Sequence, residues 1–247
     1  MPVRILKKVH RAPVLVGMLD SGVDNSLTSR VVASQAFVKG SAVQPARWDC
    51  LGHGSALTNI IAERIPEARF LVAQVFVDQL ATSAIQAAAG LDWLVDRGAQ
   101  VVNMSFGIKA DREPLANACQ RALAAGVILV AAAPAVGAAV YPSRYPGVIR
   151  VTGDVRCGPD EFSQMDSHQA EYGACVRVAD SPVAGASVAT AYISMQVARY
   201  IRLRGRDLTG LRLWLREQAT YRGIPQHFDL IPPSRRLNWV TGDSQSS

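Results

Sequence analysis

Three short stretches of the sequence set reactive side chains beside glycines. In "LDSGVD", Asp20 closes an apolar run and opens a glycine-containing turn. In "CLGHGSALTNIIAE", His53 is fenced by Gly52 and Gly54 where a polar turn gives way to an apolar helix, whose start is expected at Ser55. In "VAGASVATAYIS", Gly185 and Ala186 lead into Ser187 at the head of a second apolar helix. Each stretch has an undemanding explanation. A carboxylate after a strand caps the following turn, a lone turn histidine needs no role, and a serine at a helix start is a favoured N-cap. A helix start also sets free N–H donors and positive potential beside a hydroxyl oxygen. Taken together, a carboxylate, an imidazole and a hydroxyl are the side-chain set of a nucleophilic hydrolase.

The elements that must position them can be read from periodicity. Continuous apolar runs at 14–20, 68–76, 100–106, 126–133 and 147–153 predict strands, and helical patterns fall at 55–64, 81–98 and 112–126. Gly98 and Gly126 close the last two of these, as glycines close many helices. Strands apolar on both faces and separated by helices predict an α/β fold, a doubly wound, mainly parallel sheet flanked by helices. In such sheets ligands bind at the carboxyl ends of the strands, where Asp20 stands. From Ser187 a long, nearly all-round apolar pattern predicts a buried helix.

With 247 residues, 49% of them hydrophobic, the chain can bury one sizeable core. One domain over 1–247 is expected, with 241–247 a frayed tail. No apolar run reaches the ~18 residues of a membrane span. Cys50, Cys119, Cys157 and Cys175 are scattered without zinc-ligand spacing, so no metal or cofactor is expected. They read as free thiols of a cytoplasmic protein. The net charge of +6 concentrates in 199–216, where six arginines are interleaved with apolar residues. A solvated basic face, an acidic polypeptide partner and nucleic acid are the readings in that order, and no nucleic-acid module is present.

The order Asp, His, Ser is that of the subtilisins. The sequence resembles the subtilase family of serine proteases over roughly 14–200. "LDSGVD" is similar to the family's aspartate motif, "GHGSALTNII" to GHGTxVAGII and "GASVATAYIS" to GTSMATPxVS. Between them, "LDWLVDRGAQVVNMSFG" resembles the family's helix and edge strand ending in VINMSLG. "AAGVILVAAA" and "YPSRYPGVIRVTG" fall where members carry VVVVAAAGN and YPAxYPxVIAVGA. The resemblance implies that His53 is the general base for Ser187, that Asp20 fixes the ring's tautomer, and that Ser187 forms an acyl-enzyme. It also implies that substrate adds as a strand along Ser105, Phe106 and Gly107. The pocket for the residue before the cut would then lie between that segment and Ala132 to Ala135, with Ala133 and Pro134 in its wall.

The sequence departs from the family at the oxyanion hole. The asparagine of AAAGN is replaced by Ala135, which leaves the backbone N–H of Ser187 and, as candidate replacements, Asn103, Ser105, Ser143 and Arg144; the first of these is expected to be structural. Neither a propeptide nor the acidic calcium loops of the family are expected. These features suggest a compact cytoplasmic endopeptidase of narrow specificity that removes a leader or propeptide from a partner polypeptide, like the maturation proteases of the family. An acidic leader would suit the arginines of 199–216. The alternatives are a weak or inactive peptide-binding pseudoprotease and a transpeptidase or macrocyclase. Neither nucleic acid nor membrane is an expected partner.

Overall fold

The computed structural model describes residues 12–38 and 44–225; the tail expected to fray lies outside them. Among the described residues nine strands form one sheet. They are β1 (Leu15–Asp20), β2 (Val31–Ala36), β3 (Arg69–Gln74), β4 (Val101–Met104), β5 (Ile128–Ala132), β6 (Ile149–Gly153), β7 (Phe162–Gln164), β8 (Tyr172–Ala174) and β9 (Tyr221–Arg222). Their order is β2-β3-β1-β4-β5-β6-β8-β7-β9. All pairings are parallel except β7 with β8. β4, expected at an edge, lies between β1 and β5. The five strands read from apolar runs are present, each shorter than its run, because the ends of a run lie outside the sheet pairing. β2 carries an alternating half-buried pattern rather than a continuous one and has no counterpart among them.

Five helices cover the sheet: α1 (His53–Arg64), α2 (Ala84–Asp96), α3 (Glu113–Ala124), α4 (Ala186–Arg204) and α5 (Leu208–Gln218). Strand side chains alternate between two cores. Val16 and Met18 of β1 join Leu57 and Ile61 of α1 and Val188, Ala191 and Met195 of α4 on one face. Leu19 joins Leu91 and Leu94 of α2 and Leu115 and Ala118 of α3 on the other. A fully buried Leu or Ile contributes about 1.5–3 kcal/mol, so both faces are mainly apolar, and the strands read as largely apolar runs with few polar residues, such as Asn103 in β4 and Thr152 in β6. The sheet is therefore doubly wound. α4 is buried on all sides from Val188 to Ala198, as its all-round pattern requires. The arginine-rich stretch is two helices, not one, because Gly205 takes φ +95° and ends α4.

From β1 the chain runs out to the edge strand β2, returns to β3 beside β1, and then crosses to β4 on the opposite side. This reversal opens a crevice at the carboxyl ends of β1 and β4. Asp20 ends one strand and Ser105 follows the other.

Candidate active site

Asp20 is fully buried at the end of β1. Its Oδ1 accepts the Ser21 backbone N–H at 2.8 Å and the His53 Nδ1–H at 2.7 Å. The carboxylate therefore caps the following turn and bonds the imidazole as well. Its other oxygen, Oδ2, is buried with no hydrogen-bond partner. Nδ1 donates because a carboxylate only accepts, which leaves the lone pair on Nε2.

His53 is the first residue of α1, two positions before the helix start expected at Ser55. The two glycines beside it do different work. Gly52 is the N-cap at φ +69°, in the left-handed region that favours glycine. Gly54 lies against the loop after Asp20: a Cβ there would stand 2.3 Å from the Gly22 carbonyl oxygen. That close approach lets the Gly54 N–H bond Ser21 Oγ at 2.8 Å and brings the imidazole to the carboxylate.

Both ends of α1 are clamped. Asp49 is buried, and its Oδ1 accepts the N–H groups of Leu51 and Gly52 at 3.2 and 3.0 Å. Its Oδ2 accepts the N–H of Ser55 at 2.8 Å and the Ser55 hydroxyl at 2.6 Å. At the far end the Arg30 guanidinium donates to the carbonyls of Ala62 and Ala68 at 2.6 and 3.2 Å, a cation where a helix's orphan carbonyls collect. Burial works to lower the His53 pKa. The Asp20 hydrogen bond and the charges of Asp20 and Asp49 outweigh it and hold the imidazole above its ordinary 6.5.

Ser187 is the second residue of α4, after Gly185 at φ 87°. It is not the helix cap, because α4 starts with no side-chain cap. Its hydroxyl donates instead to the Ser105 carbonyl at 3.1 Å. Its own N–H lies in the first turn, among the N–H groups that have no intrahelical acceptor.

His53, Ser105, Phe106, Gly107 and Ser187 line one cleft of about 350 Å³, together with Phe76, Leu80 and Ile108. Phe106 serves cleft and core together, edge-on to Phe76 at 5.9 Å. The other residues singled out in the sequence lie elsewhere. Ala133 is buried against Met165 and Ala170. Pro134 is half-buried and not in the cleft lining. Ala135 lines a separate apolar cavity of about 410 Å³, with Val136, Val155 and Met165. Asn103 is fully buried with both ends of its amide engaged, as expected of a structural residue. Ser143 is buried and donates to the Val140 carbonyl.

Sequence reasoning passed over Asp49 and Gln74. Gln74 ends β3 and donates to the Ser21 carbonyl at 2.7 Å, steadying the turn after Asp20. An aspartate four residues before a glycine-fenced histidine was a legible sign of a helix-start anchor; nothing local marked Gln74. In 199–216, Arg202 pairs with Glu67 and Arg212 with Glu171 at 2.8 and 3.1 Å. Arg204, Arg206 and Arg216 are exposed. Among the described residues no His/Cys/Asp/Glu group is arranged to hold a metal ion, and no helix is long and apolar enough to cross a membrane.

The geometry can be set against known proteins. The model of the Subtilase family matches residues 12–210, most of the chain. The chain belongs to the subtilase family. It is similar to the thermostable alkaline protease of Halalkalibacterium halodurans, 26% identical, over 85% of this chain and 63% of that protein. It is also similar to alkaline elastase YaB of a Bacillus species, 30% identical, over 56% of this chain and 39% of that one. The chain thus spans less than two thirds of the length of these relatives. The solved structure of sphericase shares the fold at TM-score 0.64 and 18% identity, over 83% of each chain.

Proposed function

We propose that this subtilase is a serine endopeptidase acting through an acyl-enzyme on Ser187. The observation that carries the reading is the buried Asp20–His53 hydrogen bond opening onto the cleft that also holds Ser187. Neutral His53, with its lone pair on Nε2, accepts the Ser187 proton as Oγ bonds to the peptide carbonyl carbon. The carbonyl becomes an oxyanion beside the Ser187 N–H, within the positive end of α4. Breaking the C–N bond sends the His53 proton to the departing amine. Water then repeats the sequence, giving its proton to His53 and releasing the acid. Asp20 holds the ring in one tautomer and stabilises the imidazolium.

The oxyanion hole is atypical in this reading. Ala135 supplies no side-chain donor, and loss of one such donor costs about 10²–10³ in turnover, a figure taken from subtilisin. Slow turnover on a narrow set of substrates fits that loss. The finer proposal is removal of a leader from a partner polypeptide, with exposed Arg204, Arg206 and Arg216 available to an acidic leader. Four free cysteines suit a reducing, cytoplasmic setting.

Intact-mass labelling with a fluorophosphonate tests the core reading. One adduct on the wild type, absent in Ser187→Ala and much slowed in His53→Ala, is expected; no adduct at high concentration from this reagent or from a peptidyl phosphonate overturns the reading. Ala135 and the Ser105-bound hydroxyl favour one second reading, a peptide-binding pseudoprotease, which retains peptide affinity without acylation.

A further inference from the structure

Peptide hydrolysis requires the Ser187 hydroxyl to give its proton to His53, yet in the free protein that proton is engaged elsewhere. Ser187 Oγ donates to the Ser105 carbonyl at 3.1 Å, and His53 makes its side-chain hydrogen bond through Nδ1 to Asp20. The Ser105–Ser187 contact is reciprocal, because Ser105 Oγ donates to the Ser187 carbonyl, also at 3.1 Å. Ser105 Oγ is fixed from behind by Asn103 Nδ2 at 2.9 Å, and Asn103 Oδ1 accepts from Ser194 Oγ at 3.0 Å. The chain of bonds leaves α4 at Ser194, crosses to β4 and returns to the first turn of α4. Asn103 and Ser194 are fully buried, so a break in it would leave polar groups without partners. A hydroxyl has one proton to donate. While Ser105 holds it, His53 does not.

The residue that carries this carbonyl also lines the cleft. Ser105, Phe106 and Gly107 line the cleft just beyond β4, and a peptide added there as a strand brings a backbone N–H to the Ser105 oxygen. We propose that Ser105 is a positioning residue that latches the nucleophile in the free enzyme, and that a substrate N–H arriving on its carbonyl releases the Ser187 hydroxyl to His53. This rests on the peptidase reading above. It makes acylation conditional on an extended polypeptide, and compounds that reach Ser187 without a backbone N–H meet a hydroxyl that is turned away.

The test uses the wild-type protein and two reagents. One is a peptidyl diphenyl phosphonate with an amide N–H beside the phosphorus-bearing carbon. The other is its depsipeptide analogue, with an ester oxygen in place of that N–H. In each, Ser187 Oγ bonds to phosphorus, phenoxide leaves and His53 takes the serine proton. If the N–H only binds, its loss weakens the inactivation constant and spares the limiting rate. The latch predicts the reverse: a limiting rate lower by about tenfold or more, with the inactivation constant changed little. Equal limiting rates overturn the latch. If the fluorophosphonate labels Ser187 while the two phosphonates show equal limiting rates, the latch alone fails. If none of the three labels Ser187, the peptidase reading fails and the latch with it.

Discussion

Asp20 meets His53 through one carboxylate oxygen, Oδ1 to Nδ1 at 2.7 Å, while its second oxygen is buried without a partner. The whole orienting force on the ring passes through that single bond. Asp20→Asn keeps the shape and removes the charge, and turnover is expected to fall by about 10⁴, as for the equivalent change in a related triad. The pH profile gives the sign. Activity requires neutral His53, so it climbs as pH rises through a pKa that Asp20 holds above 6.5. Without that charge the acidic limb of kcat/KM moves to lower pH even as its ceiling drops. A limb that stays in place would show that another group titrates.

Gly54→Ala places a methyl group where the Gly22 carbonyl now sits. Overpacking of this kind costs about 1–3 kcal/mol, and it parts α1 from the turn that carries Asp20. Thermal unfolding should show the loss of stability. Activity should fall by more than the lost stability explains, since the displaced contact joins Asp20 to His53.

Asp49→Ala removes the acceptor of three backbone N–H groups and one hydroxyl at the head of α1. Loss of a helix-start acceptor costs about 1–2 kcal/mol, which in a chain of this size lowers Tm by about 2–8 °C. It also removes a charge that raises the His53 pKa, so the acidic limb shifts downward slightly. Calorimetry and the pH profile check the two effects separately.

Cys50 is exposed, and the other three cysteines are buried. Burial pushes the thiols of Cys119 and Cys157 up to about 12, where almost no thiolate forms at neutral pH. Brief treatment of the native protein with iodoacetamide should therefore add one equivalent, at Cys50 by peptide mapping. Rapid uptake at Cys119 or Cys157 would show that the core opens more than its packing implies.

Much of this candidate site was legible because the side chains proposed to be catalytic stand at punctuation marks. Asp20 ends an apolar run, and His53 and Ser187 open helices beside glycines that a plain helix start does not need. The five central strands were legible because burial on both faces leaves few polar residues to interrupt them. Where a face is only partly covered the signal fades, as in β2, and in β7 to β9, which are two or three residues long. The break at Gly205 was hidden because arginines and leucines continue on both sides of it with one spacing. The separation of Ala135 from the cleft was not legible at all. It depends on the path of the 134–140 turn, which propensity does not determine.

His53 and Ser187 each sit in the first turn of a helix, and those helices, α1 and α4, pack directly on one another over the same face of the sheet. The groups proposed to react are thus mounted on the rigid core, while Leu80, Ala81 and Thr82, which border the cleft, belong to a surface connection. In the proposed peptidase, exchange of 80–82 is a route to new cleavage preferences that leaves the spacing of His53 and Ser187 untouched, whereas a single methyl group added between α1 and α4 would retune that spacing from deep inside.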